Sequence, residues 1–176
     1  MAEAGSATIF GYYVEDPERF GIMEFKKVSN DKDSGLRVVS VEEKPENPKS
    51  NYAIVGLYFY PVGVSEMAEN VKPYSRGKFE ITTLNDMYLK EGRLNAQLLG
   101  REYTWMDAGT FDSLRRATNF VCMIEQYQGM SISVPEEIAY RFHWIDKEQL
   151  KESAEKYGKS PYGEHLRAVL EDRIVV

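Results

Sequence analysis

The chain predicts an α/β fold: a mixed β-sheet packed with helices, followed by a helical C-terminal tail. Three observations carry this expectation. Runs rich in β-branched and aromatic residues, such as Ala7 to Val14 and Asn51 to Tyr60, alternate with stretches of helical period. Proline and glycine stand at the changeovers, at Pro17, Pro61, Gly92 and Gly129. From Pro135 onward only the helical period remains. A length of 176 residues with 43% hydrophobic residues suits one domain with an appended tail. The expected division is residues 1–130 for the sheet-bearing part and 131–176 for the tail.

Taken in order, Ala7 to Val14 is a strand, Asp16-Pro17-Glu18 interrupts it, and Phe20 to Phe25 resumes as a hairpin-like return. The polar run Ser29 to Gly35 predicts a surface loop before a strand from Leu36 to Glu42. Asn51 to Tyr60 carries few charges and predicts a central strand covered on both faces. Pro61 opens a helix through about Val71, because its missing N–H has no partner in a first turn. A second helix from about Phe79 to Glu91 buries Ile81, Leu84 and Tyr88, and Gly92 ends it before a strand from Leu94 to Leu99.

Thr110 is an N-cap candidate for the longest helix, with Asp112 placed against the positive end of the dipole. Leu114, Ala117, Val121 and Ile124 then form an apolar stripe up to Gly129, which predicts an amphipathic core helix. In the tail, Leu150, Ala154 and Tyr157 mark one helix and Leu166, Val169 and Leu170 another, packed on the sheet.

Charge and cysteine content narrow the function. With 28 acidic against 22 basic residues the net charge is −6, which argues against general nucleic-acid binding and leaves room for a local basic pocket. The single cysteine, Cys122, cannot close an internal disulfide, and no signal-peptide pattern opens the chain, so a reducing cytoplasm is expected. No apolar run approaches the roughly 20 residues of a membrane span.

A few residues carry candidate chemistry. Glu43 and Lys44 precede Pro45 at a strand end, and in extended backbone their side chains would point to opposite faces unless the strand stops there. Alone, Glu-Glu-Lys reads as solvated strand-end polarity. Gly56 within a strand marks either a bulge or a close approach of ligand or backbone, and Tyr58 beside it is otherwise a core aromatic. Asp107 follows Trp105-Met106 and precedes Ala108-Gly109-Thr110, the junction of strand and helix where a ligand-facing carboxylate is well placed. As a bland alternative Asp107 caps the helix, but Thr110 already fills that role. His143 and His165 have no Cys or His at metal spacing, Cys122 reads as packing, and Arg115-Arg116 reads as a solvated helix face.

Five segments in order give a sharper reading: Phe10 to Gly21, Val41-Glu42-Glu43-Lys44-Pro45, Asn51 to Tyr60, Glu80-Ile81-Thr82, and Trp105-Met106-Asp107-Ala108-Gly109-Thr110. Together they resemble the glucose-1-phosphate thymidylyltransferases of the sugar nucleotidyltransferase family. Pro135 to Arg141 with Trp144-Ile145-Asp146 extends the likeness into the tail. The resemblance implies part of a nucleotide-diphospho-sugar transferase fold and transfer of a thymidylyl group from dTTP to glucose 1-phosphate, with Mg²⁺ as cofactor. It further implies that Glu43 accepts hydrogen bonds from sugar hydroxyls and that Lys44 holds the sugar phosphate. Gly21, Ile54, Gly56 and Tyr58 would line the sugar, and Asp107 would be a metal ligand, with Lys44 and Asp107 serving the reaction itself. Homo-oligomers are implied as well.

The family's Gly-rich nucleotide loop and second metal carboxylate have no counterpart here. Met1 to Ala7 leads straight into a strand and leaves no room for a βαβ unit of roughly 30 residues. A truncated or divided enzyme is therefore expected, binding a nucleoside triphosphate only with the missing N-terminal part, and alone binding sugar phosphate poorly and turning over little or nothing. The alternative is a non-catalytic assembly or regulatory module with the same scaffold. Lys78 and Thr83 stand where acidic residues are usual, Ala108 where threonine is usual and Phe111 where histidine is usual, which bears on nucleotide choice and local hydrogen bonding.

Overall fold

The computed structural model describes residues 5–30, 33–73, 77–129 and 131–174. The chain divides into two units, Met1–Trp105 and Met106–Val176. That division lies earlier than the boundary at 130/131 drawn from the sequence, since the longest helix groups with the tail.

The first unit is built on a five-stranded mixed sheet in the order β3-β2-β4-β1-β5. Its strands are β1 (Ala7–Tyr13), β2 (Gly21–Asn30), β3 (Asp33–Glu43), β4 (Tyr52–Phe59) and β5 (Leu94–Leu98). β1 runs antiparallel to β4 and parallel to β5, so β1 and β2 do not form the hairpin-like return expected from the sequence. β4 separates them, pairing with β2 through Ile22 and Ala53. Asn51 helps set this order: its carbonyl accepts from the Val14 N–H at 2.8 Å and its side-chain amide donates to the Val14 carbonyl at 2.9 Å. The end of β1 is thereby fastened to the start of β4 before β2 begins.

β2 and β3 form the true hairpin, in register from Gly21 opposite Glu43 to Asn30 opposite Asp33. The strands run through most of the polar stretch expected to be a loop, and its remaining residues 31 and 32 lie outside the described residues. β4 is central, with Ala53, Ile54 and Val55 all buried, yet Leu57 and Phe59 are exposed, so it is covered on both faces only over its first half.

Among the described residues this unit has two α-helices, the short α1 (Val64–Ala68) and α2 (Ile81–Lys90). α2 closes the core by setting Leu84 and Tyr88 against Ile9, Met23, Val38, Val41, Ile54 and Leu94. Its buried face also carries Thr82 and Asn85, while Ile81 is exposed, contrary to the sequence expectation. The helix begins at Ile81 rather than near Phe79, so Ile81 stands at its first position, one turn before Leu84.

The second unit contains α3 (Phe111–Gln128), α4 (Pro135–Arg141), α5 (Lys147–Lys156) and α6 (Pro161–Leu170). Thr110 caps α3 as expected, in a reciprocal capping box with Ser113, and Gly129 ends it in the left-handed region at φ 68°. No residue of α3 is buried. Its stripe is thus apolar in pattern without being part of a core in this chain. The tail has a core of its own, formed by Val134, Leu150, Ala154, Leu166 and Val169. Capping boxes and prolines set its helix starts: Asp146 with Gln149 opens α5, and Ser160 followed by Pro161 opens α6. No helix among the described residues is long and apolar enough to cross a membrane.

Candidate functional site

The candidate site in the first unit grows from the open end of the β2–β3 hairpin, where Gly21 pairs with Glu43. β3 stops at Glu43, and Lys44 takes a left-handed backbone at φ 44° while its N–H donates to the Phe20 carbonyl at 3.0 Å. That break in the strand removes the alternation that would have sent the two side chains apart. Lys44 Nζ lies 4.0 Å from Glu43 Oε1, on a side chain that remains substantially exposed. One residue earlier the alternation still holds, and Glu42 pairs instead with Lys49.

Glu43 is fixed from the other side by α2. The Thr82 hydroxyl donates to Glu43 Oε2 at 2.5 Å, and Thr82 is buried in the first turn of the helix. The carboxylate therefore sits at the positive end of the α2 dipole, whose first turn contains no acidic residue of its own. Glycine fits closely opposite: a Cβ on Gly21 would stand 3.1 Å from both Glu43 Oε2 and Thr82 Oγ1, and these side chains would have to give by a few tenths of an ångström.

Tyr58 completes this corner. Burial first, and then the neighbouring Glu43 charge, hold its phenol proton more tightly than an ordinary tyrosine holds it. Its ring stacks on Tyr60 with centroids 5.9 Å apart and planes 16° from parallel. Tyr60 in turn donates its hydroxyl to Asn85 Oδ1 at 2.6 Å. Burial pushes the Tyr60 phenol upward too, with Tyr58 and Tyr88 adding to the effect.

Of the residues singled out from sequence, Gly21, Glu43 and Lys44 meet at this corner, and Tyr58 lies near enough for the Glu43 charge to act on its phenol. Ile54 gives its side chain to the sheet core and pairs with Gly11 in the ladder. Gly56 lies where the β1–β4 register shifts between Ile9 and Gly11, so it occupies a bulge, and a Cβ there would meet nothing within 4 Å. Asp107 belongs to the second unit. It lies in irregular backbone between β5 and α3 rather than at a strand end, and its Oδ1 accepts the Gly109 N–H at 3.1 Å.

Thr82 and Asn85 were not singled out for the site. Their signal was available: they stand three apart on a helix, on the side of Leu84 and Tyr88, and polar residues on an apolar face ask for partners. A separate cleft of about 510 Å³, lined by Tyr12, Tyr13, Tyr52, Leu98, Leu99, Gly100 and Arg101, shares no residue with the corner. In the second unit Glu137 is held by His165 at 2.6 Å and Arg141 at 2.7 Å, and Glu136 by Tyr162 and Tyr157. Those carboxylates are committed to structure.

The mixed sheet with its acid–base corner defines an α/β protein of the nucleotide-sugar transferase fold. A family model described as nucleotidyl transferase matches residues 1–123. The chain belongs to the nucleotidyl transferase family. It is 44% identical over 169 residues to a protein of Neisseria meningitidis serogroup A named glucose-1-phosphate thymidylyltransferase, covering 96% of this chain and 56% of that protein. A Mycobacterium tuberculosis protein of the same name is 47% identical over 163 residues, covering 93% of this chain and 54% of its own length. The chain thus spans about half the length of these relatives.

Among solved structures, a putative glucose-1-phosphate thymidylyltransferase of Bacillus anthracis aligns with TM-score 0.52 at 39% identity, covering 66% of this chain and 43% of that one. A UDP-glucose pyrophosphorylase aligns with TM-score 0.56 at 20% identity over 65% of this chain and 43% of its own, a likeness of fold alone.

Proposed function

We propose that this chain supplies the sugar-phosphate side of an enzyme that transfers a thymidylyl group from dTTP to glucose 1-phosphate. The observation that carries the reading is the meeting of Gly21, Glu43 and Lys44 at one corner, with Tyr58 within reach of the Glu43 charge. A carboxylate beside a mobile ammonium matches a sugar that is hydroxyl-rich at one end and anionic at the other. Glu43 accepts from sugar hydroxyls, Lys44 offsets the phosphate charge, and the Tyr58 ring packs on an apolar sugar face. Ile54 and Gly56 extend the same strand beside it.

The reaction needs no protein nucleophile. A phosphate oxygen of glucose 1-phosphate attacks the α-phosphorus of dTTP, the bond from that phosphorus to the bridging oxygen breaks, and pyrophosphate leaves with the electron pair. Positioning of the two phosphates supplies most of the acceleration. Mg²⁺ favours oxygen ligands, and Asp107 offers one carboxylate. Among the described residues no group of three or more His, Cys, Asp or Glu could hold a metal ion. These residues do not by themselves make up a cation site, and the roles assigned to Glu43, Lys44 and Tyr58 do not depend on one. Nucleotide binding is assigned to a part of the relatives' length outside this chain, and the working state to a cytoplasmic homo-oligomer.

Pyrophosphate release tests the reading. The 176-residue chain, given dTTP, glucose 1-phosphate and Mg²⁺, should be nearly silent, and joining it to the part of the Neisseria meningitidis relative that it does not match should restore release. Lys44→Ala in the joined protein should lower release by at least about tenfold. Unchanged release from that variant would remove Lys44 from the phosphate site.

A further inference from the structure

Behind the corner lies a second layer that the reaction scheme does not use. Asn85 is fully buried in the middle of α2, on the same face as Thr82 one turn earlier. Its Oδ1 accepts the Tyr60 hydroxyl at 2.6 Å, and its buried Nδ2 makes no hydrogen bond within the described residues. A leucine of the same branched shape would cover the site without an unpaired donor, so packing alone does not account for an amide here. The contact it does make is with one ring of a three-ring stack. Tyr60 lies between Tyr88, at 5.6 Å, and Tyr58, at 5.9 Å, and only the Tyr58 pair is close to parallel.

Tyr88 is itself buried and is a fixed wall of the core. Tyr58 on β4 and Tyr60 just past its end alternate with exposed Leu57 and Phe59, next to the bulge around Gly56 that interrupts the β1–β4 ladder. The hydrogen bond from Tyr60 to a buried helix residue ties the chain just past the end of β4 to α2.

We propose that Asn85 is a positioning residue for the sugar-phosphate corner: it anchors the Tyr60 hydroxyl, and the anchored Tyr60 ring sets the orientation of Tyr58. The effect on ligand rests on the functional reading above; the effect on Tyr58 does not. Tyr60→Phe removes the anchor and keeps the ring, and Asn85→Leu removes it from the helix side. Two measurements on the 176-residue chain separate the questions.

The first is the ring-proton NMR spectrum of tyrosine-labelled chain without ligand. Tyr58 signals should shift in the same direction in both variants, while those of Tyr52, which packs on Phe25 elsewhere in the sheet, stay in place. Tyr58 signals unchanged in Tyr60→Phe overturn the proposal, and that variant keeps the test decisive if Asn85→Leu fails to fold. The second is titration with glucose 1-phosphate, followed at the Gly21 and Lys44 amides. The parent should respond, and Tyr60→Phe should bind roughly three- to tenfold more weakly. Equal binding by Tyr60→Phe overturns the positioning role. A parent that does not respond overturns the sugar-phosphate reading instead, and the ring spectra still decide whether Asn85 orients Tyr58.

Discussion

At the scale of single residues, the corner is decided by what stands within hydrogen-bonding reach of one carboxylate. Glu43 Oε2 takes the Thr82 hydroxyl and Oε1 faces Lys44, so a glutamate that would be mobile at a strand end is held in one orientation. Thr82→Val should destabilise the chain by about 1 kcal/mol, the cost of a partly buried acceptor losing its donor, and Thr82→Ser should recover most of it in urea unfolding. Gly21→Ala should cost a similar amount, because its Cβ presses on both partners of that bond, and it should weaken glucose 1-phosphate binding. Unchanged urea midpoints in both variants would show that Glu43 is not held this way. Glu43, Lys44, Gly21 and Tyr58 were legible in the sequence because each stands in a motif of the resemblance. The positioning roles of Thr82 and Asn85 were not, since a polar helix residue shows its partner only once a strand is laid against it.

At the scale of elements, pattern and burial part company in α3. Leu114, Ala117, Val121 and Ile124 have the spacing of a core stripe, yet Leu114 is 50% exposed and none of the four is buried. In α6 the same kind of pattern is buried, with Leu166 fully enclosed. Leu166→Ala should therefore cost about 2–5 kcal/mol and Leu114→Ala less than about 1 kcal/mol, read as shifts in denaturant midpoint. Equal costs would mean that the α3 stripe is covered in solution. The cap is a separate matter: Thr110→Ala should cost about 1 kcal/mol, because the Thr110–Ser113 box pairs two N–H groups that the helix itself leaves unpaired.

For the whole molecule, two carboxyls of the tail tie stability to acid pH. Glu136 is held below its ordinary value chiefly by the Tyr162 hydroxyl, with Tyr157 adding to it against the opposing effect of burial. Burial pushes Glu137 upward, and the hydrogen bonds from His165 and Arg141 outweigh it, so this carboxyl is lowered as well. Both groups hold their protons less tightly folded than unfolded, so protonation favours the unfolded chain. Their stabilisation is complete above the ordinary value of 4.5 and is lost as pH falls through the lower folded values. Urea midpoints measured from pH 7 down to pH 3 should decline in the acid range, and Glu137→Gln should flatten part of the decline. A Glu137→Gln profile parallel to the parent's would show that the His165 and Arg141 contacts do not favour the charged form.

The sequence by itself determined the central part of each strand and of most of the helices, the caps at Thr110 and Gly129, the membership of the family, and the acid–base pair at the end of β3. Those features depend on neighbours a few residues away, through side-chain period, turn chemistry and motif. Only the tertiary structure decided that β4 enters between β1 and β2, that Thr82 and Asn85 face inward while Ile81 faces out, and that the α3 stripe is uncovered within this chain. The reason is physical: period two or 3.6 tells which face of an element is apolar. What covers that face is settled by pairing between segments far apart in the chain, as when Asn51 fastens Val14 and Glu43 receives Thr82.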